Sequence, residues 1–203
     1  MSTEPTSPSV RQSRGGLVVI SGPSGAGKST VVRELVRNCS LPLTVSVSAT
    51  TRPPRSGEID GIHYHFLSRE EFAKQRTADE FLECKEVFGR GDWYGTLQSE
   101  VATGLAAQKW VILEIDVEGA QSVLKRHPDT LTIFVHCGSL AELERRLRSR
   151  NSDSEDAIKR RLEVARRELS FSDTYNYQVD NQDVAESVRT ICDILKRHGE
   201  TSA

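Results

Sequence analysis

The apolar positions of this chain follow two periods. Leu17-Val18-Val19-Ile20-Ser21, Val111-Ile112-Leu113-Glu114-Ile115-Asp116 and Leu131 to His136 are nearly continuous apolar runs. That pattern predicts strands of a parallel sheet, buried on both faces. Thr44 to Ser48 and Glu80 to Val87 alternate instead and read as further strands; His63 to Leu67 and Tyr177 to Asp180 predict two shorter ones. Helices are expected from near Ser29, over Thr96 to Gln108, from about Glu155 to Leu169, and over Asp183 to His198. Ser68-Arg69-Glu70-Glu71 and Ser139-Leu140-Ala141-Glu142 are capping boxes that open two more. The helix after the second box sets Leu140, Leu143 and Leu147 on one face. Pro53, Pro54 and Gly57 make a loop of Arg52 to Gly57, and Asn151 to Ser154 is a polar break. Buried strands alternating with helices predict an α/β fold with a parallel sheet flanked by helices. The stretch from Thr50 to Tyr94, with short alternating strands and one short helix, reads as a small α+β subdomain inserted into that core.

Composition narrows the class without naming it. The chain has 203 residues, 36% hydrophobic and 28% charged, enough for one domain with its own core and a small subdomain or lid. A formal net charge of -2 argues against a nucleic-acid binder. No apolar run approaches the ~18 residues of a membrane span. Met1 to Arg14 is rich in Ser, Thr and Pro and lacks an apolar stretch, so a disordered tail is expected there and not a signal peptide. Cys39, Cys84, Cys137 and Cys192 form no CxxC pair and have no histidine at metal-ligand spacing. Free thiols in a reducing cytoplasm are expected.

The first candidate chemistry is a phosphate cradle. Gly22-Pro23-Ser24-Gly25-Ala26-Gly27-Lys28-Ser29 matches GxxxxGK[ST], with Thr30 following, a buried strand before it and a helix after it. Glycines let backbone N–H groups wrap a phosphate, and the helix N-terminus adds a positive dipole end. Lys28 would place a charge on the β- and γ-phosphates of a nucleoside triphosphate, and Ser29 would offer its hydroxyl to Mg²⁺. The motif says nothing of the acceptor.

The acceptor is suggested by several motifs in order: the loop itself; Ser48-Ala49-Thr50-Thr51-Arg52-Pro53-Pro54-Arg55-Ser56-Gly57-Glu58 with Gly61, Tyr64 and Phe66; Glu80-Phe81-Leu82-Glu83 and Tyr94-Gly95-Thr96; Ile115-Asp116-Val117-Glu118-Gly119-Ala120; and Arg145-Arg146-Leu147 with Arg150 and Lys159-Arg160-Arg161-Leu162. In these the chain resembles the guanylate kinases, over roughly Gly15 to Asp183.

The resemblance implies a P-loop NTPase-type core (15–49, 95–140 and 170–200), a GMP-binding subdomain (50–94) and a helical lid (about 141–169), within a domain spanning 15–200. It implies transfer of the γ-phosphoryl group of ATP to GMP, with dGMP as a second expected acceptor. Arg52 and Arg55 would clamp the GMP phosphate with Tyr64 and Tyr94. Glu83 would accept from guanine N1–H and N2–H₂, and Ser48 and Thr96 would donate to O6. Asp116 would add an acceptor near the base or assist through water at the metal. Residues 144 to 167 hold nine Lys or Arg against five Asp or Glu. In that stretch Arg146, Arg150 and Arg161 would close over the ATP phosphates, and Asn181 would contact the adenine.

A phosphate oxygen is already ionised at neutral pH, so this reaction needs positioning and charge neutralisation and no general base. The chain departs from the family pattern at Arg90-Gly91-Asp92-Trp93, Glu118, Asn151 and Asp180-Asn181-Gln182-Asp183. A cytoplasmic monomer or homodimer, with no nucleic-acid or membrane partner, is expected. Two alternatives remain: a kinase of a phosphorylated sugar, which would give Glu83 no guanine edge to read, and a non-catalytic interaction module, which an intact Lys28 disfavours.

Overall fold

Strand β1 (Leu17–Ser21) runs through the centre of the core because its side chains are buried to both sides. In the computed structural model, which describes residues 15–87, 91–149 and 154–201, five parallel strands form one sheet. Their order is β2 (Leu43–Val45), β7 (Trp110–Glu114), β1, β8 (Leu131–His136), β9 (Tyr177–Asp180). Val18 and Ile20 pack with Val31 and Leu35 of α1 (Lys28–Asn38) and Ile191 and Leu195 of α7 (Val184–Thr201). Val19 faces the other way, towards Val101 of α3 (Gln98–Ala106) and Val117, Ala120 and Val123 of α4 (Val117–Arg126). This is the helix-covered parallel sheet that the continuous apolar runs predict.

A second sheet has the order β4 (His65–Phe66), β3 (Ala49–Thr50), β6 (Asp92–Leu97), β5 (Phe81–Val87). Its core joins Ala49, Phe81 and Phe72, the last from α2 (Arg69–Thr77), with the Phe72 and Phe81 rings stacked 4.3 Å apart. The capping box at Ser68 closes fully: Glu71 N donates to Ser68 Oγ at 3.1 Å, and Ser68 N to Glu71 Oε2 at 2.9 Å. Helices α5 (Leu140–Ser149) and α6 (Glu155–Leu169) share a cluster of Leu140, Leu143, Leu147, Leu162 and Ala165. Only half of the box at Ser139 forms, because the Glu142 carboxylate is taken by Arg145 and Arg146.

Three sequence expectations need correction. The strand expected over Thr44 to Ser48 splits. β2 ends at Val45, Ser46 N donates to Ile112 O at 3.0 Å, and the chain crosses to the second sheet as β3. The helix expected from Thr96 begins at Gln98, because Thr96 pairs with Glu83 in the antiparallel β5–β6 ladder. Thirdly, Cys39 at the end of α1 and Cys192 on α7 are joined as a disulfide, with Cα atoms 5.8 Å apart, and only Cys84 and Cys137 are free thiols. α4 was not anticipated at all; Asp116 caps it, accepting from Gly119 N at 2.9 Å. The tail Met1 to Arg14, most of the polar break, Arg90 and Arg150 lie outside the described residues.

The disulfide closes a loop of 153 residues, so the oxidised protein is expected to be about 2–4 kcal/mol more stable than the reduced one. Urea unfolding with and without a thiol reductant measures this. Coincident curves for the two forms would refute it.

Candidate active site

The loop from Gly22 to Gly27 leaves β1 and feeds α1 through Gly27, whose φ of 91° lies in the left-handed region. A β-carbon at Gly27 would also stand 2.5 Å from Asn181 Nδ2, so both backbone and neighbour demand glycine. Lys28 folds back over the loop, its Nζ donating to Gly22 O at 2.6 Å and Pro23 O at 3.1 Å. Burial lowers its pKa, and Glu168, Glu114 and Asp116 oppose that shift. Ser29 Oγ donates to Glu114 Oε1 at 2.5 Å. A cavity of about 340 Å³ opens over the loop, lined by Lys28, Ser29, Thr30, Glu114, Asp116 and Glu168 among others.

A second cavity, about 220 Å³, shares Glu114 and Asp116 with the first and reaches Ser48, Tyr64, Glu83 and Tyr94. The two cavities therefore meet at the end of β7. At one side of the second, Arg52 Nε donates to Tyr94 Oη at 3.1 Å, and its two other nitrogens form a fork on Glu58 at 2.8 and 2.9 Å. The Arg52 hydrogen bonds hold the Glu58 carboxyl down at about 2. The Tyr64 and Tyr94 rings meet edge to face at 5.8 Å, and Arg52 lies 5.5 Å from the Tyr64 ring centre. Arg55 is exposed and tied to Glu58 through its backbone, its N donating to Glu58 Oε2 at 2.7 Å and its O accepting from Glu58 N at 3.0 Å.

At the other end stands Glu83. The β5–β6 register shifts between Phe81 and Glu83, the extra residue of a β-bulge, and this brings Glu83 opposite Thr96. Thr96 Oγ1 donates to Glu83 Oε1 at 2.8 Å. The other oxygen, Oε2, faces Gly119 so closely that a β-carbon there would stand 3.2 Å away. Burial pushes the Glu83 carboxyl up to about 7; Asp116 adds to the shift, while Thr96 and Lys85 oppose it.

The family model described as Guanylate kinase matches residues 14–198. A guanylate kinase of Rhodopirellula baltica is 56% identical over 189 residues, covering 93% of this chain and 90% of its own. That of Carboxydothermus hydrogenoformans is 43% identical over 182 residues, covering 90% and 88%. This chain belongs to the guanylate kinase family. A crystal structure of the guanylate kinase from Anaplasma phagocytophilum matches the fold with a TM-score of 0.72 at 31% identity, over 92% of this chain and 87% of that one.

Seen as a guanylate kinase, the chain brings most of its expected site residues to the two cavities. Arg146 lines neither of them; it donates to Glu142 Oε1 at 2.7 Å and to Asn181 O at 2.9 Å. Arg161 sits half-buried on α6. Asn181 departs from its expected role. It is 3% exposed, its Nδ2 donates to Ala26 O at 2.8 Å, and its Oδ1 accepts from Ser187 Oγ at 3.2 Å. The carboxamide therefore braces the phosphate loop from beneath, with both ends engaged, and does not face an adenine. Its exposed neighbour Gln182 lines a separate cavity of about 520 Å³ with Gly138, Ser139 and Arg146.

Three carboxylates were not singled out from the sequence: Glu58 on Arg52, Glu114 on Ser29, and Glu168 beside Lys28. Glu168 Oε2 is buried without a hydrogen-bond partner, and burial raises its pKa while Lys28 lowers it.

Proposed function

We propose that this chain transfers the γ-phosphoryl group of ATP to GMP, giving ADP and GDP. The observation that carries the reading is the junction of the two cavities at Glu114 and Asp116, with Lys28 on one side and Arg52, Tyr64 and Tyr94 on the other. A γ-phosphate held by the loop and an acceptor phosphate held by Arg52 would face each other there. Guanidinium forks suit phosphate oxygens bidentately, and Arg52 already presents its fork to the Glu58 carboxylate. Arg55, exposed in the same loop, would swing in as the second clamp.

At the far end an ionised Glu83 would accept both guanine donors, N1–H and N2–H₂, with Ser48 and Thr96 serving O6. Adenine has no such donor pair. A buried carboxylate left unpaired against AMP would discriminate strongly.

Ser29 fits Mg²⁺, since its hydroxyl is exposed at the loop and oriented by the Glu114 carboxylate, a hard-oxygen environment. A Mg²⁺ held there by Ser29 would supply positive charge to the donor phosphates. The protein's own part is positioning: the loop amides and Lys28 hold the donor, and Arg52 holds the acceptor. The α5–α6 pair, about residues 141–169, is the proposed lid, bringing Arg146 and Arg161 over the phosphates and excluding water. Residues 50–94 form the proposed GMP-binding subdomain, and Gln182 replaces Asn181 as the proposed adenine neighbour. The cytoplasm is the proposed location.

A coupled ADP-release assay with ATP and Mg²⁺ compares GMP, AMP, CMP and UMP. Turnover with GMP at least about a hundredfold above the others is expected. Equal turnover with another monophosphate would remove Glu83 as the base reader. No turnover with any of them would favour the phosphorylated-sugar and binding-module alternatives.

A further inference from the structure

Lys85 belongs to none of the motifs above, yet it stands among the carboxylates at the base end of the acceptor cavity. It lies on β5 two residues beyond Glu83, so the two side chains leave the same face of the strand while Cys84 packs into the subdomain core. Lys85 and Glu83 line the same cavity. Lys85 Nζ is paired with the Asp116 carboxylate and lies 3.2 Å from Glu118 Oε2. Both partners belong to the start of α4, whose Gly119 faces Glu83 Oε2.

Three carboxylates, Glu83, Asp116 and Glu118, thus gather around one lysine. Among the described residues Arg167 of α6 also reaches this group, 3.5 Å from Glu118, but its side chain is 73% exposed against 25% for Lys85. Solvent screens the arginine far more than the lysine. The other titratable groups lining the acceptor cavity and a neighbouring cavity between β5, α4 and α6 are the Tyr64 and Tyr94 phenols, Glu86, Glu114 and Glu168, none of which adds positive charge; Lys28 faces Asp116 from the phosphate-loop cavity, on the far side from Glu83. Arg126 of α4 is turned to Asp79 and Phe81 O.

We propose that Lys85 is a positioning and specificity-setting residue, whose charge pins Asp116 and keeps the neighbouring Glu83 an ionised acceptor for the guanine edge. The inference rests on the GMP-kinase reading above and deepens it. A protonated Glu83 would present an O–H to guanine N1–H, donor against donor, so the base would be read only while the carboxylate is charged. Burial works against the charge of Lys85 itself, but its bonds to Asp116 and Glu118 outweigh that and raise its pKa, so it stays cationic. Without it, unneutralised Asp116 would push the Glu83 carboxyl further in the direction burial already drives it.

The test is KM for GMP and kcat from pH 6.5 to 8.5 for wild type, Lys85→Met and Lys85→Arg, with the Glu83 carboxyl titrated by ¹³C NMR in each free enzyme. Lys85→Met is expected to raise KM for GMP about tenfold at pH 6.5, less at pH 8.5, with kcat changed by less than about threefold. Its Glu83 midpoint should move up by about one pH unit, since one unit corresponds to a factor of ten in the charged fraction. Lys85→Arg should restore both. A KM unchanged, or raised equally at every pH, would overturn the proposal, as would an unmoved Glu83 midpoint. Should the Met variant fail to fold, Lys85→Gln takes its place in the same comparison. Wild type inert towards GMP would sink the functional reading itself, and the Glu83 midpoint would still decide whether Lys85 controls that carboxyl.

Discussion

Lys28→Met is expected to lower kcat/KM for ATP about a thousandfold while leaving the fold intact. The methionine keeps the length of the side chain and removes its charge. In the phosphate loop Lys28 has two tasks. It ties the loop together through Gly22 O and Pro23 O, and it carries the positive charge nearest the triphosphate. Burial presses its pKa down, and the carboxylates of Glu168, Glu114 and Asp116 oppose that shift. Removing a single donor from such a pre-organised site costs about 10²–10³ in rate, and a full charge facing a polyanion belongs at or above the upper end. Steady-state kinetics separates the two tasks. A fall in kcat reports charge lost from the transition state, whereas a rise in KM for ATP alone reports a loosened loop. A loss smaller than about tenfold, with circular dichroism unchanged, would remove Lys28 from the chemistry.

The parallel core was legible because its signal is local. Val18, Val19 and Ile20 are buried whichever way they point, and a run of apolar residues says so by itself. The phosphate loop was legible for a similar reason: its glycines, Lys28 and Ser29 are contiguous. Elements held by distant partners were not. Asp92 to Leu97 contains a charged residue and a glycine, and becomes β6 only by pairing with β3 on one side and β5 on the other. Helix α4 opens Val-Glu-Gly, poor in intrinsic helix propensity at Gly119, yet that glycine leaves room for the Glu83 carboxylate. The Cys39–Cys192 bridge spans the chain from α1 to α7, beyond any spacing rule. Asn181 shows the limit of motif transfer. Its place in the order of motifs suggested a nucleotide contact, but burial under Ala26 makes it a brace.

Glu83→Gln is expected to lower kcat/KM for GMP by about 10²–10³, mostly through KM, and to flatten its pH dependence. The glutamine oxygen can still accept from guanine N1–H, but its NH₂ then confronts N2–H₂ with donor against donor. That leaves a buried polar group unpaired at about 1–3 kcal/mol and removes the charge that strengthened the other bond. The sign of the pH effect follows from the Glu83 carboxyl, which burial pushes up to about 7. Below that pH the group is neutral and cannot accept both donors; above it the carboxylate is formed. KM for GMP in the wild type should therefore fall as pH rises from 6.5 to 8.5. Ionisation of the GMP phosphate, with a second pKa near 6 for phosphate esters, contributes equally to both enzymes. The difference between the two profiles isolates Glu83. Parallel profiles would mean that the carboxyl does not titrate in the site, and an unchanged kcat/KM would mean that the guanine edge is read elsewhere.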